Sequence, residues 1–326
     1  MLPIHNRVNR RNAMLSIAVG AVGEALELDK PVTRAQLDRS KIVEASAKSV
    51  KSNSIGLALG GGAAKGLAHI PVLEAFDEIG IRPSIIAGTS IGAIIGACYA
   101  SGMTGSEIRS HALELFTTRR ELLSRIFLGE SQPWSSIFSL TRPGIVAPEV
   151  LLKAVLPRSI PETVEELSIP LLIVATDYYA QEEVVLERGA LIPAIGASAS
   201  LPGLLSPISL NQRTLIDGGF VNPTPFDIIK SRVQFTVAID VTGRQDTADH
   251  EFPGPLQATI SAFHIALHSL VQAKLACAQP DLLLRPGVSA FDSLDFYSVR
   301  EILNAAQPVK DQLKRGIETL LEPSSK

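Results

Sequence analysis

The stretch Ile85-Ile86-Ala87-Gly88-Thr89-Ser90-Ile91-Gly92-Ala93-Ile94-Ile95-Gly96 decides the reading of this chain. Ile85–Ala87 is a short apolar run of the kind that forms a buried strand. Gly88 and Gly92 bracket Ser90 in a G-x-S-x-G pattern, and an uncharged helix is expected over Ile91–Ser101. Strand, tight turn, helix is the setting in which a serine is presented as a nucleophile. Side chains at positions 88 and 92 would crowd so sharp a turn. A serine at a helix N-terminus also meets the positive end of the helix dipole, which favours developing negative charge. The same pattern serves as a helix-packing turn, so its neighbours have to decide.

Upstream, Gly60-Gly61-Gly62-Ala63-Ala64-Lys65-Gly66 follows the apolar run Ile55–Leu59 and precedes a helix expected over Gly66–Ile79. Such a loop turns backbone N–H groups toward an anion. A P-loop requires Gly-Lys-Ser/Thr, whereas here Lys65 precedes Gly66 and Leu67 follows. A dinucleotide fingerprint requires G-x-G-x-x-G, and neither Gly60 nor Gly61 starts that spacing. Two readings remain: an oxyanion hole built from Gly60, Gly61 and Gly62, or a glycine turn with no ligand. Downstream, Leu215-Ile216-Asp217-Gly218-Gly219 brings a carboxylate to the end of an apolar strand. Active-site groups gather at that edge of a parallel sheet. Asp217 there can orient Ser90 or take its proton, although Asp-Gly is also an ordinary turn.

Working outward, further strands are expected at Leu171–Thr176, Glu183–Leu186, Thr214–Ile216, Thr236–Asp240 and Leu282–Arg285. Helices are expected at Gly105–Phe116, Pro148–Val155, Ile192–Ser198, Pro225–Ser231, Leu256–Cys277 and Tyr297–Leu321. Strands alternating with helices mean an α/β domain with a mainly parallel central sheet. The chain of 326 residues is 46% hydrophobic and 19% charged, which excludes global disorder. A net charge of −3 gives no ground for nucleic-acid binding. Charge is uneven, however: residues 1–53 hold nine Lys/Arg and five Asp/Glu. We read 1–53 as an accessory, helical N-terminal segment and 54–326 as the catalytic domain. Cys98 and Cys277 are the only cysteines, which fits reduced thiols in the cytoplasm and excludes a disulfide scaffold. Pro83–Ser106 and Gly189–Gln212 are each uncharged over 24 residues, the length of a membrane span. Their glycines and prolines fit buried α/β elements instead, so membrane contact is expected to be peripheral.

Three of these pieces in this order resemble the patatin-like phospholipase family. The matching residues are Leu59–His69, Gly88–Gly92 and Asp217–Gly219, with Ser198–Pro207 as a fourth block. The resemblance covers about Ile55 to Leu320. It implies a three-layer patatin-like fold, with helices on both faces of the sheet. It implies a serine hydrolase of acyl esters in phospholipids or lysophospholipids, with Ser90 as nucleophile and Asp217 as its base. It implies the oxyanion loop Gly60–Gly62, with Lys65, Gly66, Gly88, Gly92, Gly218 and Gly219 as motif support. No cofactor and no metal are implied. Two departures stand out. Ala63 occupies the family's usual third glycine position, and Lys65 stands where many bacterial members carry Arg. A non-catalytic, regulatory protein on the same fold and an acyl transferase are the rival readings. The transferase family expects His before its nucleophile, where this chain has Thr89.

A dyad makes no use of histidine. Ser90, Asp217 and a later His250, His264 or His268 would instead give the Ser…Asp…His order of a triad. His264 and His268 lie four apart on one expected helix and fit packing better than a metal pair. His69 is expected to cap or pack beside the glycine loop. The irregular stretch Arg125–Val146 carries the only tryptophan, Trp134, together with Phe127 and Phe138. It reads as an acyl-chain entrance or as a small satellite core.

Overall fold

The computed structural model describes residues 53–118, 147–243 and 254–322. Residues 1–52, the Trp134 stretch and His250 lie outside them. The described residues form one sheet of β1 (Ile55–Leu59), β2 (Ile85–Thr89), β3 (Leu171–Asp177), β4 (Glu182–Leu186), β5 (Ile208–Leu210), β6 (Arg213–Asp217), β7 (Phe235–Ile239) and β8 (Leu282–Leu284). β3, β2, β1, β7 and β8 run parallel in that spatial order. β4 and β6 pair antiparallel with β3, and β5 pairs antiparallel with β6. The mainly parallel sheet expected from the strand–helix alternation is the one found.

Nine helices are described: α1 (His69–Glu78), α2 (Ile91–Ala100), α3 (Gly105–Leu113), α4 (Pro148–Val155), α5 (Leu191–Ala199), α6 (Asp227–Lys230), α7 (Pro255–Cys277), α8 (Val299–Ala305) and α9 (Val309–Leu321). Strand residues alternate between two cores. Ile55, Leu57, Leu59, Ile86, Ile173, Val237 and Ile239 face the larger one, which α1, α2, α5, α8 and α9 cover. Ala58, Ala87, Leu172 and Ala238 face the smaller one, with Phe226, Ile229, Val271 and Leu275 from the α6 region and α7. Side chains on a strand alternate with period two, so a sheet apolar on both faces needs a helical layer on each. The result is three layers.

Three sequence expectations change. The helix expected from Gly66 opens earlier, as a 3₁₀ turn at Ala63–Ala68 that leads into α1. The single helix expected over Tyr297–Leu321 divides into α8 and α9, with Pro308 between them. Proline has no N–H to continue the hydrogen-bond ladder. β5 adds a strand to those expected. Its hairpin with β6 turns on Asn211 and Gln212, at φ 52° and 62°. Both residues adopt the left-handed geometry of a two-residue hairpin turn without the glycine that usually announces it. The two uncharged stretches are core elements: the first supplies β2, α2 and the start of α3, and the second supplies α5 and β5. Among the described residues one helix is long and apolar enough to cross a membrane, Ala258–Cys277 within α7.

Candidate active site

Strand register brings Ser90 and Asp217 together. β2 pairs with β3 from Leu171 to Val174, where its last residue, Thr89, sits opposite Val174. β4 takes one edge of β3 from Ile173 to Asp177. β6 pairs with β3 over Ala175–Asp177 and must therefore use the opposite edge, the one β2 has just left. So β2 and β6 lie end to end along the same edge. Ser90 follows Thr89, and Asp217 stands opposite Ala175, one position beyond. Two residues far apart in sequence become neighbours.

Ser90 is held in a strained conformation, φ 54° and ψ −122°, at the N-terminus of α2. A left-handed φ is costly for a residue with a Cβ and persists only where the surroundings enforce it. Here the enforcement is visible. The Ser90 N–H donates to Ser198 Oγ at 2.9 Å, and the Ser90 carbonyl accepts from the N–H groups of Ala93 and Ile94. Thr89 Oγ1 donates to the Asn222 carbonyl at 2.8 Å. Close packing explains the glycines. A Cβ on Gly92 would sit 2.1 Å from the Leu59 carbonyl oxygen, and one on Gly88 would sit 2.7 Å from the backbone of Ala93.

Asp217 is only 2% exposed. Its main chain is fixed by its own N–H to the Ser200 carbonyl, 3.0 Å, and by Thr176 Oγ1 to its carbonyl, 2.7 Å. Its carboxylate accepts from the Gly219 N–H at 2.7 Å and shares the wall of one cavity with Ser90. Burial pushes its pKa up from 3.8 to about 6, against the pull of the Gly219 N–H and the neighbouring Ser90 hydroxyl. Gly218 admits the turn by passing against β3: a Cβ there would lie 2.2 Å from the Val174 carbonyl oxygen.

The glycine loop lies across from this pair. Gly60 N–H bonds the Ile239 carbonyl and Gly61 N–H bonds the Pro223 carbonyl. Gly62 and Ala63 line the cavity that holds Ser90 and Asp217, and their N–H groups make no backbone hydrogen bond among the described residues. Ala63 has φ 48°, so the alanine at the family's third glycine position carries the left-handed backbone that glycine adopts freely. Gly66 packs on Ile91, where a Cβ would approach to 2.2 Å. Lys65 is buried, with Nζ 3.5 Å from the Gly243 carbonyl. Burial lowers its pKa, and Asp292 works in the opposite direction.

Among the described residues no histidine bridges the pair. His69 is fully buried and donates Nε2–H to the Gly60 carbonyl at 2.7 Å, a brace behind the loop. Burial lowers its pKa to about 4, so it is neutral. His264 lines the cavity, but among the described residues it has no hydrogen bond to Ser90 or Asp217, and burial with Lys65 nearby lowers its pKa to about 4. His268 faces Thr242 Oγ1 at 3.4 Å. Sequence reasoning missed Ser198 and Thr176 as supports of the pair. It also missed the cavity itself, whose apolar wall includes Ile91, Ile94, Leu151 and Phe296. The same four residues wall a second apolar cavity that reaches Cys98, Ala112 and Leu115, so the two spaces adjoin.

The family model described as patatin-like phospholipase matches residues 57–230. An uncharacterized NTE family protein of Mycobacterium tuberculosis is 35% identical over 195 residues, 60% of this chain and 51% of that protein. The human patatin-like phospholipase domain-containing protein 6 is 34% identical over 226 residues, 68% of this chain and 16% of that protein. The chain thus spans about half the length of the mycobacterial relative and much less of the human one. Among solved structures, VipD from Legionella pneumophila aligns with a TM-score of 0.43 at 14% identity, covering 82% of this chain and 66% of that one.

Proposed function

The chain belongs to the patatin-like phospholipase family, and from that premise we propose that it is a serine lipid acyl hydrolase working through a Ser90–Asp217 dyad. Its substrates on this reading are acyl esters of phospholipids or lysophospholipids. The observation that carries the reading is the placement of Ser90, at its strained elbow, beside the buried Asp217 carboxylate in the wall of one apolar cavity.

A free aspartate is too weak a base to draw a proton from serine. Burial raises Asp217 to about 6, which strengthens it as a base while leaving it ionised at neutral pH. Ser90 Oγ attacks the ester carbonyl carbon as its proton passes to Asp217. Negative charge moves to the carbonyl oxygen, which the Gly62 and Ala63 N–H groups and the N-terminus of α2 face. The tetrahedral intermediate then expels the alcohol, which leaves with the proton from Asp217. Water attacks the acyl-Ser90 ester as its proton passes to Asp217; the bond from the acyl carbon to Ser90 Oγ then breaks, Asp217 returns the proton to Ser90 Oγ, and the fatty acid departs. The acyl chain lies along Ile91, Ile94 and Leu151 toward the second cavity.

The test is hydrolysis of a lipid panel by the wild-type protein and Ser90→Ala, with a fluorophosphonate probe in parallel. Labelling at Ser90 and loss of fatty-acid release in Ser90→Ala support the reading. A wild-type protein that neither labels nor hydrolyses would favour a non-catalytic role on this fold. Transfer of the acyl group to an added alcohol in preference to water would favour the transferase.

A further inference from the structure

Helix α7 has two unlike faces. Its inner face carries Ile260, Phe263, His264 and Leu267 into the cavity of Ser90, and Val271 and Leu275 into the smaller core. Its Lys274 also points inward, to Asn222, Thr224 and Asp227. The outer face shows Ala262, Ile265, Ala266, Ser269 and Ala273, with no charged residue. Ile265 is 68% exposed, and only 22% of the helix's apolar window is buried. α9 makes the contrast: its exposed positions include Asp311, Arg315 and Glu318, the ordinary composition of a solvated helix.

Several other exposed large apolar side chains lie on or next to residues of the Ser90 cavity. Phe220, 40% exposed, follows the Asp217 turn and packs its ring on Phe263 with centroids 4.4 Å apart. Leu294 lines the cavity of Ser90 and is itself partly exposed, and Tyr297 adjoins Phe296 of that cavity's wall. Tyr178 and Tyr179 follow the C-terminal end of β3, the sheet edge where Ser90 lies. They share a surface groove with Leu205, which also lines the Ser90 cavity. Tyr179 is 79% exposed.

We propose that this rim, formed by the outer face of α7 with Phe220, Leu294 and the Tyr178–Tyr179 turn, is an interfacial surface that seats the protein on a lipid bilayer. The inference rests on the lipid-hydrolase reading above and says where the substrate is met. An acyl lipid leaves a bilayer only if apolar contact is continuous from the membrane to the catalytic serine. Here that continuity runs from the exposed Phe220 through Phe263, and from Leu294, to the cavity wall, with the uncharged outer face of α7 beside it. Tyrosine, apolar in its ring and polar at its tip, suits the water–lipid boundary. A helix that lies in that boundary buries one face in the headgroup region without spanning it. This contact is separate from the basic excess of residues 1–53, which would act through anionic headgroups and weaken with salt.

The experiment measures flotation of the full chain, carrying Ser90→Ala so that hydrolysis does not consume the membrane, with zwitterionic phosphatidylcholine vesicles at low and high salt. Ile265→Glu and Tyr179→Glu are introduced singly. Each should lower vesicle partitioning by about tenfold or more, the loss expected when one large apolar contact is replaced by a charge. High salt should leave the remaining binding nearly unchanged. With Ser90 restored, both variants should hydrolyse a water-soluble short-chain ester at the wild-type rate, which shows that they fold and retain the site. Wild-type partitioning in both variants would overturn the proposal, as would an absence of binding to neutral vesicles. So would a dimer in sedimentation velocity that Ile265→Glu dissolves, since a second copy would then own the face. Failure of the soluble-ester assay in the wild-type protein would count against the hydrolase reading alone, because flotation does not depend on turnover.

Discussion

Replacing Asp217 with Asn should abolish hydrolysis and make the protein more stable at neutral pH. Asp217 is a buried carboxylate, no cation among the described residues offsets its burial, and its pKa stands at about 6 against an ordinary 3.8. A folded-state value above the unfolded one means that the native protein holds this proton more tightly than the unfolded chain does. The sign follows: stability from the group is complete below about pH 4 and is lost as pH rises through about 6. A rise of that size corresponds to ~3 kcal/mol, all of it present as a penalty near pH 7. An asparagine side chain at this position would still accept the Gly219 N–H but would carry no charge to desolvate. Paired urea titrations of wild type and Asp217→Asn should therefore give nearly equal stabilities near pH 4 relative to a gap of about 1–3 kcal/mol in favour of the variant near pH 7. Ester hydrolysis should fall at least about 10³-fold in the same variant. A stability gap independent of pH, or a wild-type protein more stable than the variant near pH 7, would refute the claim that Asp217 is ionised against the preference of its surroundings.

Three further outcomes follow from the same geometry. kcat/KM for a soluble ester should plateau above about pH 7 and fall about tenfold per pH unit below about 6, as Asp217 takes up its proton; a flat profile to pH 5 would exclude it as the base. Ala63→Gly should raise stability by up to about 1 kcal/mol in thermal melts, because position 63 already has a left-handed φ, and should keep the hydrolysis rate within a few-fold. Ala112→Phe, which fills the second apolar cavity, should lower kcat/KM for long-chain esters by about tenfold or more while leaving butyryl esters unchanged; equal effects on both chain lengths would place the acyl chain elsewhere.

Much of this site was legible in the sequence because its demands are local. Ser90 needs a tight turn, and Gly88 and Gly92 announce it, since any Cβ there collides with backbone. Asp217 ends an apolar run before two glycines, and its turn passes within contact of Val174 for the same reason. What stayed hidden was relational. Nothing in the β6 sequence says that it continues the edge β2 leaves on β3, because that depends on β4 holding the opposite edge. Ser198 reads as one small residue in a helix, yet its hydroxyl pins the elbow N–H. The loop offered three glycines as equal donors, whereas the Gly60 and Gly61 amides bond to Ile239 and Pro223. α7 was readable as a helix, but periodicity alone could not separate a face that lines a cavity from one that meets solvent.

Several unfavourable features share this one corner of the fold, and their coincidence is itself informative. Ser90 and Ala63 both hold left-handed backbone, and Asp217 is a buried acid raised to about 6. Each opposes folding by an amount on the order of 1–3 kcal/mol. The opposing support is concentrated just behind them. Leu57, Leu59, Ile86, Ile173, Val237 and Ile239 are wholly buried on the larger core face, and His69 braces the loop from within that layer. A strained turn set against soft packing would relax toward an ordinary φ and draw Ser90 away from the carboxylate. Set against five parallel strands, it has nowhere to relax, so Ser90 stays beside Asp217. On the proposed reading, a dyad without a relay histidine and a rigid sheet edge are one property: the pair can work directly because its two strands are held end to end by a third.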